Sequence, residues 1–377
     1  MKILIACPYY KPGFKAGGPI QSIYNLAKLL GEDMEIYIFT QSIDFGSDTK
    51  HDNIQENIWQ SFDNHKVYYC NPSKYGVKNL FDIIKLLQPN FVYFNSVFHK
   101  LTWHAILINN ILRFNYKFII APRGELDSGA LKLKAFKKRI FIKIFKIIIG
   151  NNIVFHATTL KELHNISKIF NKKIKVAENI PSLVDIKPIR QEKYRNNTNF
   201  VFISRISPKK NLEYCIKLLN DNVFEGIINF DIIGPIEDVD YWKLIESKII
   251  NVPANVKINY LGEVPNSELK SRTEKYHFLM FPTKSENYGH IIYECLSYGI
   301  PVLLSDQTPW EENNNGVFVR SLNDIIGFKL LIESLHKIDN EEFSAISDSS
   351  FNYARSIVNM QNLRKQYIEL FDESNYK

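Results

Sequence analysis

The chain has 377 residues, 45% of them hydrophobic and 23% charged, with a formal net charge of +7. At about 100–200 residues per domain this length predicts two domains, and 26 Phe with 20 Tyr exclude disorder as the main state. The modest positive charge admits an anionic partner of three kinds: nucleic acid, a lipid surface or a phosphorylated substrate.

The first apolar run, Ile3–Cys7, is too short for a signal peptide, and no run reaches the roughly 18–20 residues of a membrane span. The expected location is therefore the cytoplasm. Cys7, Cys70, Cys215 and Cys295 lack C-x-x-C or zinc-like spacing, which predicts buried thiols in a reducing compartment. Strands are predicted at Ile3–Cys7, Glu35–Thr40, Phe91–Asn95, Phe118–Ala121 and Ile153–Ala157. A second series follows at Phe200–Ser204, Asn229–Ile233, Ile258–Leu261, Phe278–Phe281 and Pro301–Leu304. Near-continuous apolar strands alternating with helical patterns predict α/β parallel sheets covered on both faces.

Between the two series, Pro181, Pro188 and the polar stretch 190–198 predict a linker near 179–198. After Asn323 the pattern is helical to the end. The expectation is two doubly wound, Rossmann-like domains, 1–180 and 181–357, facing across a cleft, with a helix at about 358–377 packing back on the first. Ligands of such sheets bind beyond the carboxyl ends of the strands.

The first strand runs into a loop that ends in Gly17-Gly18-Pro19, where a helix begins. Adjacent glycines there let backbone N–H groups approach an anion; a plain turn is the alternative. A dinucleotide fold is disfavoured, because G-x-G-x-x-G is absent and the next strand ends in Thr40-Gln41 without an acid for a ribose. In the second half, the strand ending at Ser204 is followed by Arg205-Ile-Ser-Pro-Lys209-Lys210-Asn211. Arg205 offers bidentate donors and Lys210 a point charge at a helix start, where cations oppose the dipole unless an anion joins them. A solvated basic loop is the other reading.

The strand Phe278–Phe281 leads into Glu286-Asn287-Tyr288-Gly289-His290, with Glu294 farther on. A helix starting near Gly289 puts Glu294 about one and a half turns in, so both carboxylates can border one pocket around the helix N-terminus. Carboxylates accept from sugar hydroxyls, while N–H groups and cations take a diphosphate. A surface Glu plus an ordinary helical Glu would share that spacing.

Gly17-Gly18, Arg205–Lys210, Gly234-Pro235 and the E-x(7)-E segment from Glu286 to Glu294, in this order over about residues 1–375, resemble family-4 retaining glycosyltransferases of the GT-B fold. Ala121-Pro-Arg-Gly-Glu125, Ser128–Leu131 and His156-Ala-Thr-Thr159 resemble the bacterial polysaccharide-building members. The resemblance implies that Glu286 contacts the donor sugar near the reacting centre, that Glu294 holds the ribose, and that Arg205 and Lys210 bind the diphosphate. It also implies that Gly17 and Gly18 let the backbone approach the donor, with Asn287, Tyr288, Gly289 and His290 around it. No metal or cofactor is expected beyond the nucleoside-diphosphate sugar donor, since fixed cations and a helix dipole can stabilise the leaving group. Where many members carry a His, this chain places Arg123, a fixed cation suited to charge stabilisation rather than proton transfer. No general base is assigned.

Other features are weighed against simpler roles. Asp238-Val-Asp240 matches D-x-D, but a helix N-cap is the simpler role. His99 lines an acceptor cleft or is structural, His290 reaches a donor oxygen or packs, and Trp310 stacks on a sugar or joins the core. Residues 132–146 carry Lys132, Lys134, Lys137, Lys138, Arg139, Lys143 and Lys146 without an acid, interleaved with apolar residues. That pattern suits a helix on the anionic inner face of the membrane, or a core helix with a solvated face. Nucleic acid is not expected as a partner, since no recognised module accompanies the charge. The expected activity is transfer of a sugar to a glycan or lipid-linked saccharide in surface polysaccharide biosynthesis. A GT-B epimerase or phosphorylase, or a non-catalytic sugar-nucleotide sensor, are the rivals.

Overall fold

Apolar runs buried on both faces become the central strands of two parallel sheets. The computed structural model describes residues 1–114, 116–132, 135–150, 152–182, 191–221 and 223–376. The chain divides into Met1–Ile180 with Asn359–Lys377, here unit 1, and Pro181–Val358, unit 2. Residues 183–190 of the expected linker, and Leu133 and Lys134 of the basic run, lie outside the described residues.

Unit 1 runs β1 (Lys2–Ala6), α1 (Gly18–Leu30), β2 (Glu35–Gln41), β3 (Trp59–Phe62), β4 (His65–Cys70), α2 (Val77–Leu87) and β5 (Phe91–Phe94). It continues with α3 (Lys100–Ile111), β6 (Phe118–Ile120), α4 (Ser128–Lys132), α5 (Ala135–Ile148), β7 (Ile153–Ala157), α6 (Leu160–Ile169) and β8 (Lys173–Val176). Among the described residues its sheet has eight strands in the order β3-β4-β2-β1-β5-β6-β7-β8. Among the pairings of these described strands, only β3–β4 is antiparallel.

Unit 2 runs β9 (Asn197–Ile203), α7 (Leu212–Asn220), β10 (Ile227–Ile233), α8 (Val239–Ile249), β11 (Val256–Tyr260) and α9 (Asn266–Thr273). Then come β12 (Phe278–Phe281), α10 (His290–Ser297), β13 (Val302–Ser305), β14 (Val317–Arg320), α11 (Ile325–Lys337) and α12 (Asn340–Ser356). Its parallel sheet has the order β11-β10-β9-β12-β13-β14. The chain then re-enters unit 1 with α13 (Met360–Leu370).

Both sheets reverse their strand order, unit 1 between β1 and β5 and unit 2 between β9 and β12. Connections on the two sides of such a reversal leave in opposite directions and open a crevice at the carboxyl edge. In unit 2, register pairs Ile203 with Ile233 and Phe200 with Phe278, so the loops after β9, β10 and β12 start side by side.

The structure adds β3, β4, β8 and β14 to the expected strands. All lie at or beside sheet edges, where one face is wet and polar residues interrupt the apolar run. The stretch 190–198 is also less linker-like than its polarity suggests. Lys193 is fully buried, donating to the carbonyls of Tyr194, His336 and Ile338 at 3.0–3.2 Å, and Thr198 is already inside β9.

Candidate functional site

The loops after β9 and β12 are laced together. Lys284 N–H donates to the Lys209 carbonyl at 2.9 Å, and the Asn211 amide donates to the Pro282 carbonyl at 2.9 Å. Asn211 sits in the left-handed region at φ 62° and starts α7, which turns Lys210 towards the loop after β12. Its Nζ lies 2.6 Å from Glu286 Oε2 and 5.2 Å over the Phe281 ring. Burial alone would raise the Glu286 carboxyl; Lys210 as charge and donor, helped by Lys209 and the Asn287 N–H, outweighs it and holds the pKa at about 2. Glu286 is therefore a carboxylate at neutral pH, able to accept hydrogen bonds and unable to donate a proton.

Arg205 is held by a partner that the spacing of motifs did not reveal. Its Nη1 lies 2.8 Å from Glu237 Oε1 in the loop after β10. Gly234 makes that approach feasible, because at φ 140° a Cβ would sit 2.0 Å from the Ser204 carbonyl oxygen. A guanidinium carries five donors and an ammonium three, so each pair leaves donors for an incoming anion. The adjacency of β9 and β10 was the signal for Glu237, and it becomes readable only once strand order is known.

The loop after β12 ends at Gly289, with φ 79°, and α10 begins at His290. A Cβ on Gly289 would meet Ile292 Cδ1 at 2.6 Å, so only glycine fits this corner. Glu294 is 4% exposed on α10 and accepts from Ser182 Oγ at 2.9 Å. Asn287 N–H donates to Glu286 Oε1 at 3.0 Å, and the Tyr288 and His290 rings lie 4.9 Å apart. Trp310 belongs to the core: it is buried, and its Nε1 donates to the Tyr288 carbonyl at 2.6 Å. The indole thus fixes the site loop from behind.

Unit 1 holds the other expected residues. Gly17, at φ 69°, caps α1, which starts at Gly18 with a proline next. Arg123 and Gly124 follow each other in the left-handed region at φ 53° and 76°. The Arg123 side chain turns into the unit, with Nε donating to Asn95 at 2.8 Å and Nη2 to the Tyr93 hydroxyl at 2.9 Å, while Nη1 donates to Asn179. Tyr93 in turn donates to His156 Nδ1 at 2.8 Å, and His156 Nε2 donates to the Ala177 carbonyl at 2.8 Å. Burial, with the nearby Arg123 charge, lowers the His156 pKa to about 3.

Two carboxylates of this region had no role assigned from the sequence. Glu162 accepts from the Gly124 N–H and from the Thr158 N–H and hydroxyl at 2.7–2.8 Å. Glu125 accepts from Ser96 Oγ at 2.6 Å and the Val97 N–H at 2.7 Å. They tie the loops after β5, β6 and β7 into one carboxyl-edge platform.

Asp238 caps α8, accepting from the Tyr241 N–H at 2.9 Å. Replacing it by Ala is expected to cost about 1 kcal/mol of stability, read by urea denaturation, without changing donor binding. His99 caps α3 through Nδ1, which accepts from the Leu101 N–H at 3.3 Å. Among the described residues, no three His, Cys, Asp or Glu side chains converge to hold a metal.

Residues 185–320 match the family described as glycosyl transferases group 1. An uncharacterized glycosyltransferase of Methanocaldococcus jannaschii is 23% identical over 99% of this chain and 99% of its own length. The O-antigen chain mannosyltransferase RfbU of Salmonella typhimurium is 24% identical over 46% of this chain and 48% of its own. An uncharacterized 41.2 kDa protein in the cps region of Klebsiella pneumoniae is 24% identical over 59% of this chain and 63% of its own. The chain thus spans less than two thirds of the length of the Salmonella and Klebsiella relatives. The Anabaena protein HepE, solved with UDP and glucose, superposes with a TM-score of 0.69 at 15% identity, over 98% of this chain and 99% of that one. The chain has the GT-B fold of two Rossmann-like domains, and its residues 185–320, which carry Arg205, Lys210, Glu286 and Glu294, match a glycosyltransferase group 1 domain.

Proposed function

We propose that the chain is a retaining, metal-independent glycosyltransferase that moves a sugar from a nucleoside diphosphate to a glycan or lipid-linked saccharide in surface polysaccharide biosynthesis. The observation that carries this reading is the Lys210–Glu286 pair at the carboxyl edge of unit 2, beside the start of α10. The UDP and glucose held by HepE and the O-antigen role named for RfbU support the donor and acceptor classes.

In this reading Arg205 and Lys210 bind the diphosphate, Glu286 accepts from donor-sugar hydroxyls, and Glu294 accepts from the ribose. The anomeric C–O bond to the diphosphate breaks, and the bond to the acceptor oxygen forms on the same face. The acceptor proton goes to the leaving phosphate. Charge developing there meets two fixed cations and the helix N-terminus, where preorganised groups stabilise it without reorganisation.

Glu286→Ala and Arg205→Ala are each expected to abolish transfer while leaving the fold intact, read as an unchanged far-UV circular dichroism spectrum and a cooperative unfolding transition. A chelator is expected to leave the wild-type rate as it was, and NMR of the product to give the donor's anomeric configuration. Full activity in either variant, or an inverted product, would refute this assignment. The donor is found by thermal shift against UDP-, GDP-, ADP- and dTDP-sugars, since a ligand at about 100 times its Kd stabilises by about 2.7 kcal/mol.

A further inference from the structure

The chain's positive charge is concentrated in one stretch of unit 1. Residues 83–161 contain thirteen Lys and Arg but only two acids, Glu125 and Asp127. Their net charge of +11 exceeds the +7 of the whole chain. Both acids are engaged within the unit, Glu125 with Ser96 and Val97, and Asp127, which is buried, with the Asn165 amide at 2.7 Å.

Helix α5 displays this charge beside uncovered apolar side chains. Phe145 is buried and Phe141 packs beside it, with ring centroids 5.4 Å apart. Lys138 also turns inward, donating to the Ala130 carbonyl at 2.6 Å. The opposite face exposes Phe136 (76%), Ile140, Ile144 and Ile147 (84%). At 100° per residue these four fall within one arc of about 80°. Lys143, Arg139 and Lys146, all exposed, flank one side of that arc, and exposed Lys137 lies at its other border. The end of α3 extends the surface: Asn110 donates to the Ile148 carbonyl at the end of α5, and Ile111 and Leu112 beyond it are exposed. Arg113 follows, also exposed.

We propose that this face of α5, with the end of α3, docks on a lipid bilayer surface carrying anionic headgroups. Among the described residues no helix is long and apolar enough to cross a membrane, so the contact is peripheral. The apolar arc enters the headgroup boundary, while the flanking cations meet the lipid phosphates. Charge decides this occupant: a second copy of the chain would bring the same positive face against itself, and the apolar arc has no use for a solvated polyanion. The inference stands on unit 1 alone and does not depend on the transfer chemistry.

Co-sedimentation of the full chain with vesicles tests it, using phosphatidylcholine alone or mixed with phosphatidylglycerol. Binding is expected only to the mixed vesicles, with release as salt rises. Each cation near an anionic surface contributes about fivefold in partitioning, so Lys137→Glu/Lys143→Glu/Lys146→Glu is expected to lose at least about a hundredfold. Phe136→Asp/Ile147→Asp is expected to lose at least about tenfold with the basic residues intact, because two apolar contacts are removed. All five positions are exposed, and unchanged melting confirms that the variants fold. Absence of binding to the mixed vesicles, or equal binding to both kinds, overturns the proposal. So does a wild-type dimer that Phe136→Asp/Ile147→Asp converts to a monomer, or retention on RNA that the Lys→Glu variant alone abolishes while vesicle binding persists.

Discussion

Lys210→Ala is expected to lower kcat/KM by about 10²–10³, the loss typical when one fixed group facing transition-state charge is removed. Two effects combine in this residue. The ammonium is a cation at the edge where a diphosphate would lie, and it also holds Glu286 in place at 2.6 Å. Without it, burial acts on Glu286 with less opposition and the carboxyl pKa rises from about 2. The sign of the stability effect follows. A carboxyl depressed from 4.5 to about 2 by folding contributes stability that is fully present above pH 4.5 and is lost as pH falls towards 2. Urea denaturation from pH 7 to pH 2 should therefore give wild-type and variant curves that differ at neutrality and converge in acid. A loss of activity below tenfold, or a constant stability gap over that range, would contradict this account of the pair.

Arg123→Met is expected to destabilise unit 1 by about 3–5 kcal/mol, as when one partner of a buried charged network is deleted. The guanidinium joins Asn95 after β5, the Tyr93 hydroxyl within β5, and Asn179 near the end of the first segment of unit 1. It also acts on Tyr367 of α13 and on Glu162. Methionine fills much of the volume but leaves those acceptors and the Glu162 charge without their cation. At about 2–4 °C per kcal/mol for a unit of this size, the midpoint should fall by on the order of 10 °C. If Arg123 instead acts mainly on transferred charge, Arg123→Met would lower kcat while the melting temperature stayed within about 2 °C.

The candidate site was legible to the extent that its residues directly follow strands. Arg205, Lys210 and Glu286 could be found because β9 and β12 end in short apolar runs, Phe200–Ile203 and Phe278–Phe281, whose ends are obvious. Glu294 followed from helical spacing once Gly289 marked the helix start. Glu237 could not be found this way, because its partnership with Arg205 depends on β10 lying beside β9. Lys193 misled for a related reason: a lysine in a polar stretch reads as solvated, yet three backbone carbonyls take the place of water around its ammonium. Trp310 was open between two roles, and the structure gives it the one in the core. Its polar neighbours left a sugar platform as open as core packing, and only the carbonyl of Tyr288 that accepts from its N–H decides between them. Edge strands such as β8, with its alternation Lys173-Ile-Lys-Val176, carry too little apolar signal to stand out from a loop.

The return of the chain to unit 1 has a consequence for its synthesis. Tyr367 of α13 lies edge-on to His156 at 5.4 Å, Phe371 lies 5.8 Å from Phe91, and Arg364 pairs with Asp33 at 2.5 Å. These core and surface contacts join residues made before unit 2 to residues made after it. At about 5–20 residues per second, the 178 residues of Pro181–Val358 keep the ribosome occupied for roughly 10–35 s. Throughout that interval the nascent sheet of unit 1 lacks its closing helix, with Phe91 and His156 uncovered, whereas unit 2 is continuous and can fold as it emerges. Unit 1 is thus begun before unit 2 and finished after it, and its sheet is most exposed while the chain is still being made.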